Sequence, residues 1–277
     1  MDFIIYIYVF IIGIVCGSFF SLAIYRIPKG QDIIHTRSYC PNCKHKLSFW
    51  DMIPLFSYIG LKGKCRYCKR KISPTYFLLE LLSGIIFVLF ALSIRFGLDN
   101  MNTSVIVYLI FGLLYIAGLF IISGIDINKK QIQHQILVYL LIIETIYIIY
   151  LYVVEKASIY RYAIYFVILV ILNLFNIIYY KKRVKNNYTL ELLILLIEMV
   201  IFTYELCTVY TIILALLCIA MKLLIEIILQ KRRKYVKKDK VAEARIPFGF
   251  YLGVSNIIVL ILTNMLIFYR WLNEQIL

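Results

Sequence analysis

Charge is scarce in this 277-residue sequence. Charged residues fill only 16% of positions, acidic residues number 15, and hydrophobic residues reach 63%. So little polar surface excludes an ordinary soluble domain of this length. Hydrophilic length is missing as well, because only one long stretch, about residues 24–74, interrupts the apolar character. The N-terminus has no basic n-region and no small-residue cleavage site, so the first apolar run is expected to remain as an anchor rather than be removed.

Hydrophobic length is abundant. Eight apolar runs of about 20 residues, each able to cross a hydrocarbon core of roughly 30 Å, lie at about 3–25, 75–95, 104–124, 135–153, 162–180, 189–204, 206–229 and 247–270. The least defined boundary is at Tyr204–Glu205. The expected fold is an all-α polytopic membrane protein of about eight transmembrane helices, with a small cytoplasmic lobe between helices 1 and 2. Residues 1–25 form the first helix, 26–74 the lobe and 75–277 the membrane domain.

The net charge of +15 does not point to nucleic acid, because its distribution follows topology. If the N-terminus is outside, the inside segments 24–74, 125–134, 181–188 and 230–246 hold 25 of the 30 Lys and Arg residues. That is the positive-inside pattern, with added attraction to anionic lipid. It places the N-terminus outside and the 24–74 lobe in the cytoplasm.

Within that lobe, Cys40-Pro-Asn-Cys43 and Cys65-Arg-Tyr-Cys68 are separated by 21 residues. Two such knuckles present four sulfurs to one tetrahedral ion, and zinc is the expected metal. Two disulfides are the alternative, although a reducing cytoplasm favours metal. Cys16, Cys207 and Cys218 stand singly in apolar helices, where packing explains them. A lobe of about 50 residues is too small for an independent core and needs such a staple. Between the knuckles, Trp50-Asp51-Met-Ile-Pro54-Leu-Phe-Ser57 is expected to fold onto the metal knot or lie on the membrane surface. Asp51 there is a cap, a turn former or a functional acid.

Few carboxylates enter the apolar runs, where an ionised one is costly without a partner. Glu80 lies about one turn into the second run, and either pairs with the loop or faces an active region. Asp126 sits at the cytoplasmic edge after Gly124, either as a helix-end solvation device or as half of an acid–base pair. Such a pair needs a second carboxylate close by, one protonated and one ionised. Glu191, at the start of the sixth run, is the best partner by topology. Glu144, Glu198 and Glu205 fall too far along their helices. Glu226, four residues after Lys222, suits a helical ion pair. Gly17, Ser18 and Ser21 make a small face for close helix contact, and Pro247-Phe-Gly249 opens the last helix as a candidate cleft wall.

Together these segments resemble the prepilin peptidases, membrane aspartic proteases of type IV pilus, type II secretion and competence systems. The similar stretches are Gly17-Ser-Phe, Tyr25-Arg26-Ile-Pro28, Arg37-Ser38-x-Cys40-Pro41-x-Cys43, Trp50-Asp51-x-Ile-Pro54, Gly63-Lys-Cys65-Arg66-x-Cys68, Ile72-Ser73-Pro74 and Glu80. Ile125-Asp126 followed by Ile132 resembles the first aspartate motif, with Gln133-His134 where the family has Pro-Asn. Ile246-Pro247-Phe248-Gly249 resembles its C-terminal motif. The second aspartate motif, Gly-x-Gly-Asp-x-Lys-Leu, is absent. By position Thr189 falls on its aspartate and Glu191 on its lysine, and a two-residue shift turns a helix by about 200°. Glu191 is therefore expected to face Asp126 only if the local backbone is offset.

The resemblance implies cleavage of the leader of prepilin or pseudopilin precursors at the cytoplasmic face of a bacterial inner membrane, and N-methylation of the new terminus from S-adenosylmethionine. Asp126 and Glu191 would be catalytic. Asp51, Pro54, Ser57, Glu80, Pro247 and Gly249 would line the substrate or methyl-transfer region, and Cys40, Cys43, Cys65 and Cys68 would bind structural zinc. The alternative is a proteolytically inactive member, acting as a methyltransferase only or as a scaffold for pilin precursors.

Overall fold

The computed structural model describes residues 2–156, 158, 160–182, 188–232 and 246–276. Among them the chain is helical, and the only strand-like pairings are two isolated bridges. The helices are α1 (Asp2–Arg26), α2 (Phe56–Gly60), α3 (Pro74–Ser93), α4 (Thr103–Lys129), α5 (His134–Val153), α6 (Tyr160–Lys182), α7 (Tyr188–Thr203), α8 (Glu205–Arg232) and α9 (Phe248–Ile276). All but α2 are long, matching the eight apolar runs. Asn186, Asn187, Arg245 and positions 233–240 of the basic loop lie outside the described residues.

Six helices are long and apolar enough to cross a membrane: Phe3–Lys29, Pro74–Ser93, Thr103–Lys129, His134–Val153, Glu205–Leu229 and Phe248–Ile267. The other two have shorter apolar stretches among the described residues. The apolar part of α6 is Tyr162–Asn176. Helix α7 has 16 residues, about 24 Å at the α-helical rise. The break at Tyr204–Glu205 is real: Tyr204 has φ of 73°, a left-handed conformation that ends α7 and lets α8 start in a new direction.

The chain divides into two compact units, Met1–Ala117 with Asn264–Leu277, and Gly118–Thr263. In the first, α1 and α3 pack at backbone distance. A methyl at Gly13 would lie 2.7 Å from the Gly84 Cα, and one at Gly17 would lie 2.8 Å from the Glu80 Cα. Ser83 Oγ donates to the Gly13 carbonyl over 2.7 Å. The small face read at Gly17, Ser18 and Ser21 extends one turn further, to Gly13. Gly13 and Gly17 make the contact, while the Ser21 hydroxyl donates to the carbonyl of Ser18 on its own helix. Gly17→Leu is expected to cost about 3 kcal/mol, the upper end for overpacking, because behind the Ser83 hydroxyl stand backbone atoms, the Glu80 Cα and the Leu79 carbonyl oxygen. A lowered thermal midpoint of the purified protein would register it.

Arg26 does more than mark the membrane edge. Only 4% exposed, it donates to the carbonyls of Asp32, Thr36 and Arg37 at 2.8–3.1 Å and ties the lobe's entry to the end of α1. In the second unit, Ile148 of α5, Leu169 of α6 and Ile201 of α7 form a buried apolar cluster.

Candidate metal centre and candidate active site

The two knuckles fold alike because their sequences repeat. Cys40 N–H donates to the His45 carbonyl and Lys44 N–H to the Cys40 carbonyl; Cys65 with Arg70 and Lys69 with Cys65 repeat the pattern. Lys44 and Lys69, each just after the second cysteine, have φ of 60° and 57°, which turns the chain back and points both sulfurs inward. The four sulfurs lie within 4.8 Å of one another, and Cys40 and Cys68 are 3.9 Å apart. A tetrahedral zinc site with Zn–S of about 2.3 Å has S···S edges of about 3.8 Å, so the cluster fits that ion. None of the seven cysteines is in a disulfide, and the four-sulfur cluster favours the metal reading over two disulfides.

Burial pushes the Cys40 thiol up, but the N–H groups of Cys43 and Asn42 and the thiols of Cys43 and Cys65 outweigh it and hold it at about 7. At Cys43 the His45 N–H pulls down, yet burial and the neighbouring sulfurs of Cys40 and Cys68 raise it to about 11. One sulfur ionises readily and the next resists, as crowded thiols do until a cation joins them. Between the knuckles, the His45 and Tyr67 rings lie 3.6 Å apart.

Asp51 is an internal strut of the lobe. It forms a capping box with Ser48, and its carboxylate receives Arg66 Nε at 2.6 Å and the Tyr67 hydroxyl at 3.3 Å. Burial raises this carboxyl, while the Ser48 hydroxyl and the Arg66 guanidinium outweigh it and hold it below its ordinary range. Pro54 lies just before α2 and Ser57 in its first turn, and the residue preceding the helix, Leu55, has φ of 59°. The N–H of Leu55 donates to the buried Glu80 carboxylate over 2.7 Å, and the Ser18 hydroxyl also serves it. Glu80 therefore pairs with the loop backbone rather than with a lysine or arginine. Phe49, Trp50 and Phe56 are 69–71% exposed, so they do not cover the knot.

In the second unit three helix ends meet at Asp126. It lies one turn before the end of α4, where Lys130 N–H donates to its carbonyl and the helix dipole disfavours a negative side chain. The starts of α7 and α9 offset this, because helix N-termini carry unsatisfied N–H groups and partial positive charge. Asp126 Oδ2 accepts the Tyr188 hydroxyl at 2.9 Å and the Phe250 N–H at 3.0 Å. Gly249 N–H donates onward to the Tyr188 oxygen at 3.2 Å. A methyl on Gly249 would stand 3.1 Å from Asp126 Oδ2 and from Ile132, so glycine permits this approach. Pro247 is buried beside it. Asp126 is fully buried, and its second oxygen, Oδ1, has no hydrogen-bond partner among the described residues.

The start of α7 resolves the register question raised by the missing motif. Tyr188 reaches Asp126, Thr189 is exposed, and Glu191 is fully buried. Residues three apart share a helix face, so Glu191 lies on the Tyr188 face and Thr189 on another. Tyr188 was not foreseen as a site residue. Its signal was available as a polar aromatic three residues before the only acid in that helix's first turn. Lys222 and Glu226 form the expected helical pair at 3.8 Å. Cys218 is exposed rather than packed, as a lipid-facing helix position allows.

Fold and sites together define a polytopic helical membrane protein with a four-thiolate lobe after its first helix and a carboxylate held at a junction of helix ends. Residues 11–94 match the bacterial peptidase A24 N-terminal domain. The chain is 43% identical over 91 residues to a prepilin leader peptidase/N-methyltransferase of Myxococcus xanthus (strain DK1622), covering 33% of this chain and 27% of that protein. Proteins of the same name from Klebsiella pneumoniae and Bacillus subtilis (strain 168) are 34% and 36% identical over 129 and 132 residues. Those matches cover 44% and 48% of this chain, and 53% and 50% of the relatives. The chain thus spans about a quarter to about half the length of these relatives. No solved structure matches. Over these stretches the chain is similar to the prepilin leader peptidase/N-methyltransferases.

Proposed function

We propose that this protein cleaves the leader of type IV prepilins or pseudopilins at the cytoplasmic face of a bacterial inner membrane, with Asp126 as one of two acting carboxyl groups. The observation that carries this reading is the asymmetry of Asp126: Oδ2 is held by Tyr188 and Phe250, while Oδ1 is buried and has no partner among the described residues. In the reaction, one carboxylate takes a proton from water as the oxygen attacks the scissile carbonyl carbon. The other carboxyl protonates the leaving amine as the C–N bond breaks. Glu191 is the second carboxyl in this proposal, supported by its burial and by the face it shares with Tyr188. The basic loops set the orientation, with the N-terminus outside and the lobe inside.

The lobe keeps its shape through zinc held by Cys40, Cys43, Cys65 and Cys68. When bound, S-adenosylmethionine supplies a methyl group from a sulfonium cation to the new N-terminal amine. Glu80 is a buried carboxylate of the charge such a cation favours, and Pro54 and Ser57 stand on the adjoining turn. Asp51, neutralised by Arg66, holds the lobe around them. Pro247 and Gly249 form the wall beside Asp126.

Co-expression with a prepilin, followed by mass spectrometry of the pilin terminus, tests the reading. Cleaved and methylated product is expected. Glu191→Gln should lower cleavage by about 10²-fold, the contribution of a general acid or base; wild-type cleavage in that variant would remove Glu191 from the pair. A second reading, methyltransfer or precursor binding without proteolysis, is favoured by Thr189 standing where the family has its aspartate. It predicts an uncut precursor, methylated only after another enzyme removes the leader.

A further inference from the structure

Two carboxyl groups lie deep in the second unit and have no part in the proposed chemistry. Glu144 of α5 is 1% exposed and Glu198 of α7 is 0% exposed. All four of their side-chain oxygens are buried without a hydrogen-bond partner among the described residues. The two helices pack on each other, and their neighbours fix the level at which the acids meet. Tyr147 and Phe202 stack with ring centroids 5.7 Å apart, and Ile148 and Ile201 share one apolar cluster. Glu144 precedes the first pair of α5 residues by one turn, and Glu198 precedes the α7 pair by one turn. The acids therefore face each other at the next level along parallel helices, close enough for one charge to act on the other.

We propose that Glu144 and Glu198 form an intramembrane proton-binding site, in which the O–H of one carboxyl donates to a carboxyl oxygen of the other and joins α5 to α7. The reason is a shortage of other donors. Two carboxylates cannot both stay ionised side by side in a dry interior, and none of the described ion pairs includes either residue. The threonine hydroxyls nearest in sequence are committed to their own helices, since Thr145 donates to the Leu141 carbonyl and Thr203 to the Met199 carbonyl. The titratable groups around the adjoining cluster are Tyr147 of α5 and Tyr162 and Tyr165 of α6, all neutral near pH 7. Helix α8, which also packs on α7, brings the Thr208 and Thr211 hydroxyls, which do not titrate and which serve the carbonyls of Tyr204 and Cys207. On α7 itself the next acid is Glu191, two turns away. A proton is the ligand that fits, because both carboxyls are buried and one proton between them removes a charge from the dry interior. In hydrocarbon surroundings an interhelical hydrogen bond of this kind acts as glue. It fixes the depth of α7, whose first turn carries Tyr188 and Glu191.

This inference stands on packing and burial, and is independent of the protease reading. Infrared difference spectroscopy of the full-length protein in lipid nanodiscs tests it, comparing wild type with the isosteric double variant Glu144→Gln/Glu198→Gln. The wild type should hold a protonated-carboxyl C=O band at neutral pH that the double variant loses, because two carboxyls side by side in a dry interior cannot both be ionised. Loss of carboxylate bands alone would show both groups ionised and overturn the site. If the double variant does not fold, each single variant is compared in the same way. Each leaves one buried acid beside an amide, so its protonated C=O band must shift in frequency from wild type; an unshifted band in both variants would overturn the pair. Cleavage activity plays no part in this readout, so failure of the protease reading leaves it untouched.

Discussion

Asp126→Asn lowers prepilin cleavage by at least about 10²-fold, the scale on which a positioned acid or base acts, while the protein remains folded. The expectation of an intact fold comes from the hydrogen bonds. Asparagine retains a carbonyl oxygen that accepts the Tyr188 hydroxyl and the Phe250 N–H now received by Oδ2. The substitution replaces Oδ1, the buried oxygen without a partner among the described residues, by an amide nitrogen that cannot accept a proton from water. Activity and stability should therefore separate. Mass spectrometry of the co-expressed pilin should show uncut precursor, while the thermal midpoint of the purified variant stays within a few degrees of wild type. A loss of folded protein in parallel with activity would instead make Asp126 a structural pin for α9.

Removing the metal is the other large effect. Cys40→Ser, or a strong chelator, should release about one zinc per chain and unfold residues 27–73 while the membrane helices persist. The lobe has no apolar core to fall back on: between Arg26 and Glu80 the only buried residues are Cys40 and Cys65. Structural zinc in small domains contributes about 10–16 kcal/mol of apparent binding free energy, far more than the surface contacts of Asp51 with Arg66 and Tyr67 can replace. Acid should act in the same direction, because protons compete with the ion for thiolates. Metal content by mass spectrometry and protease sensitivity of the 27–73 segment check this. A lobe still protected after complete metal loss would show that its hydrogen bonds suffice.

How the two sites could be read from sequence differs for a physical reason. The thiolate cluster is local. Both knuckles carry their ligands within four residues, and the turn that aims them depends on the residue directly after, Lys44 or Lys69. Cysteine spacing therefore encoded the geometry. The apolar runs were legible in the same way, since helix length and hydropathy are properties of contiguous chain. So was the pairing of Lys222 with Glu226, four residues apart on one helix.

Asp126 is a different case. The residue stood out as an acid at a membrane edge, but the groups that hold it, Tyr188 and the Phe250 N–H, lie 62 and 124 positions away. One of them is backbone and leaves no mark in the residue code. Matching by position put Thr189 where an aspartate was expected and set Glu191 out of phase. The start of α7 at Tyr188 decides the phase instead, turning Thr189 out and Glu191 in. The pair of Glu144 and Glu198 was passed over because distance from Asp126 was the test applied to them. Each acid sits within an apolar run, but that they face each other follows from helix packing.

The sequence by itself thus determined the membrane class, the helices and the four-sulfur lobe, all of which rest on spacing along a continuous chain. Only the tertiary structure decided which oxygen of Asp126 is held, which face of α7 turns inward, and that two glutamates are buried on packed helices. Those outcomes depend on helix rotation, where one residue shifts a side chain by about 100°, and on packing between segments far apart in the chain.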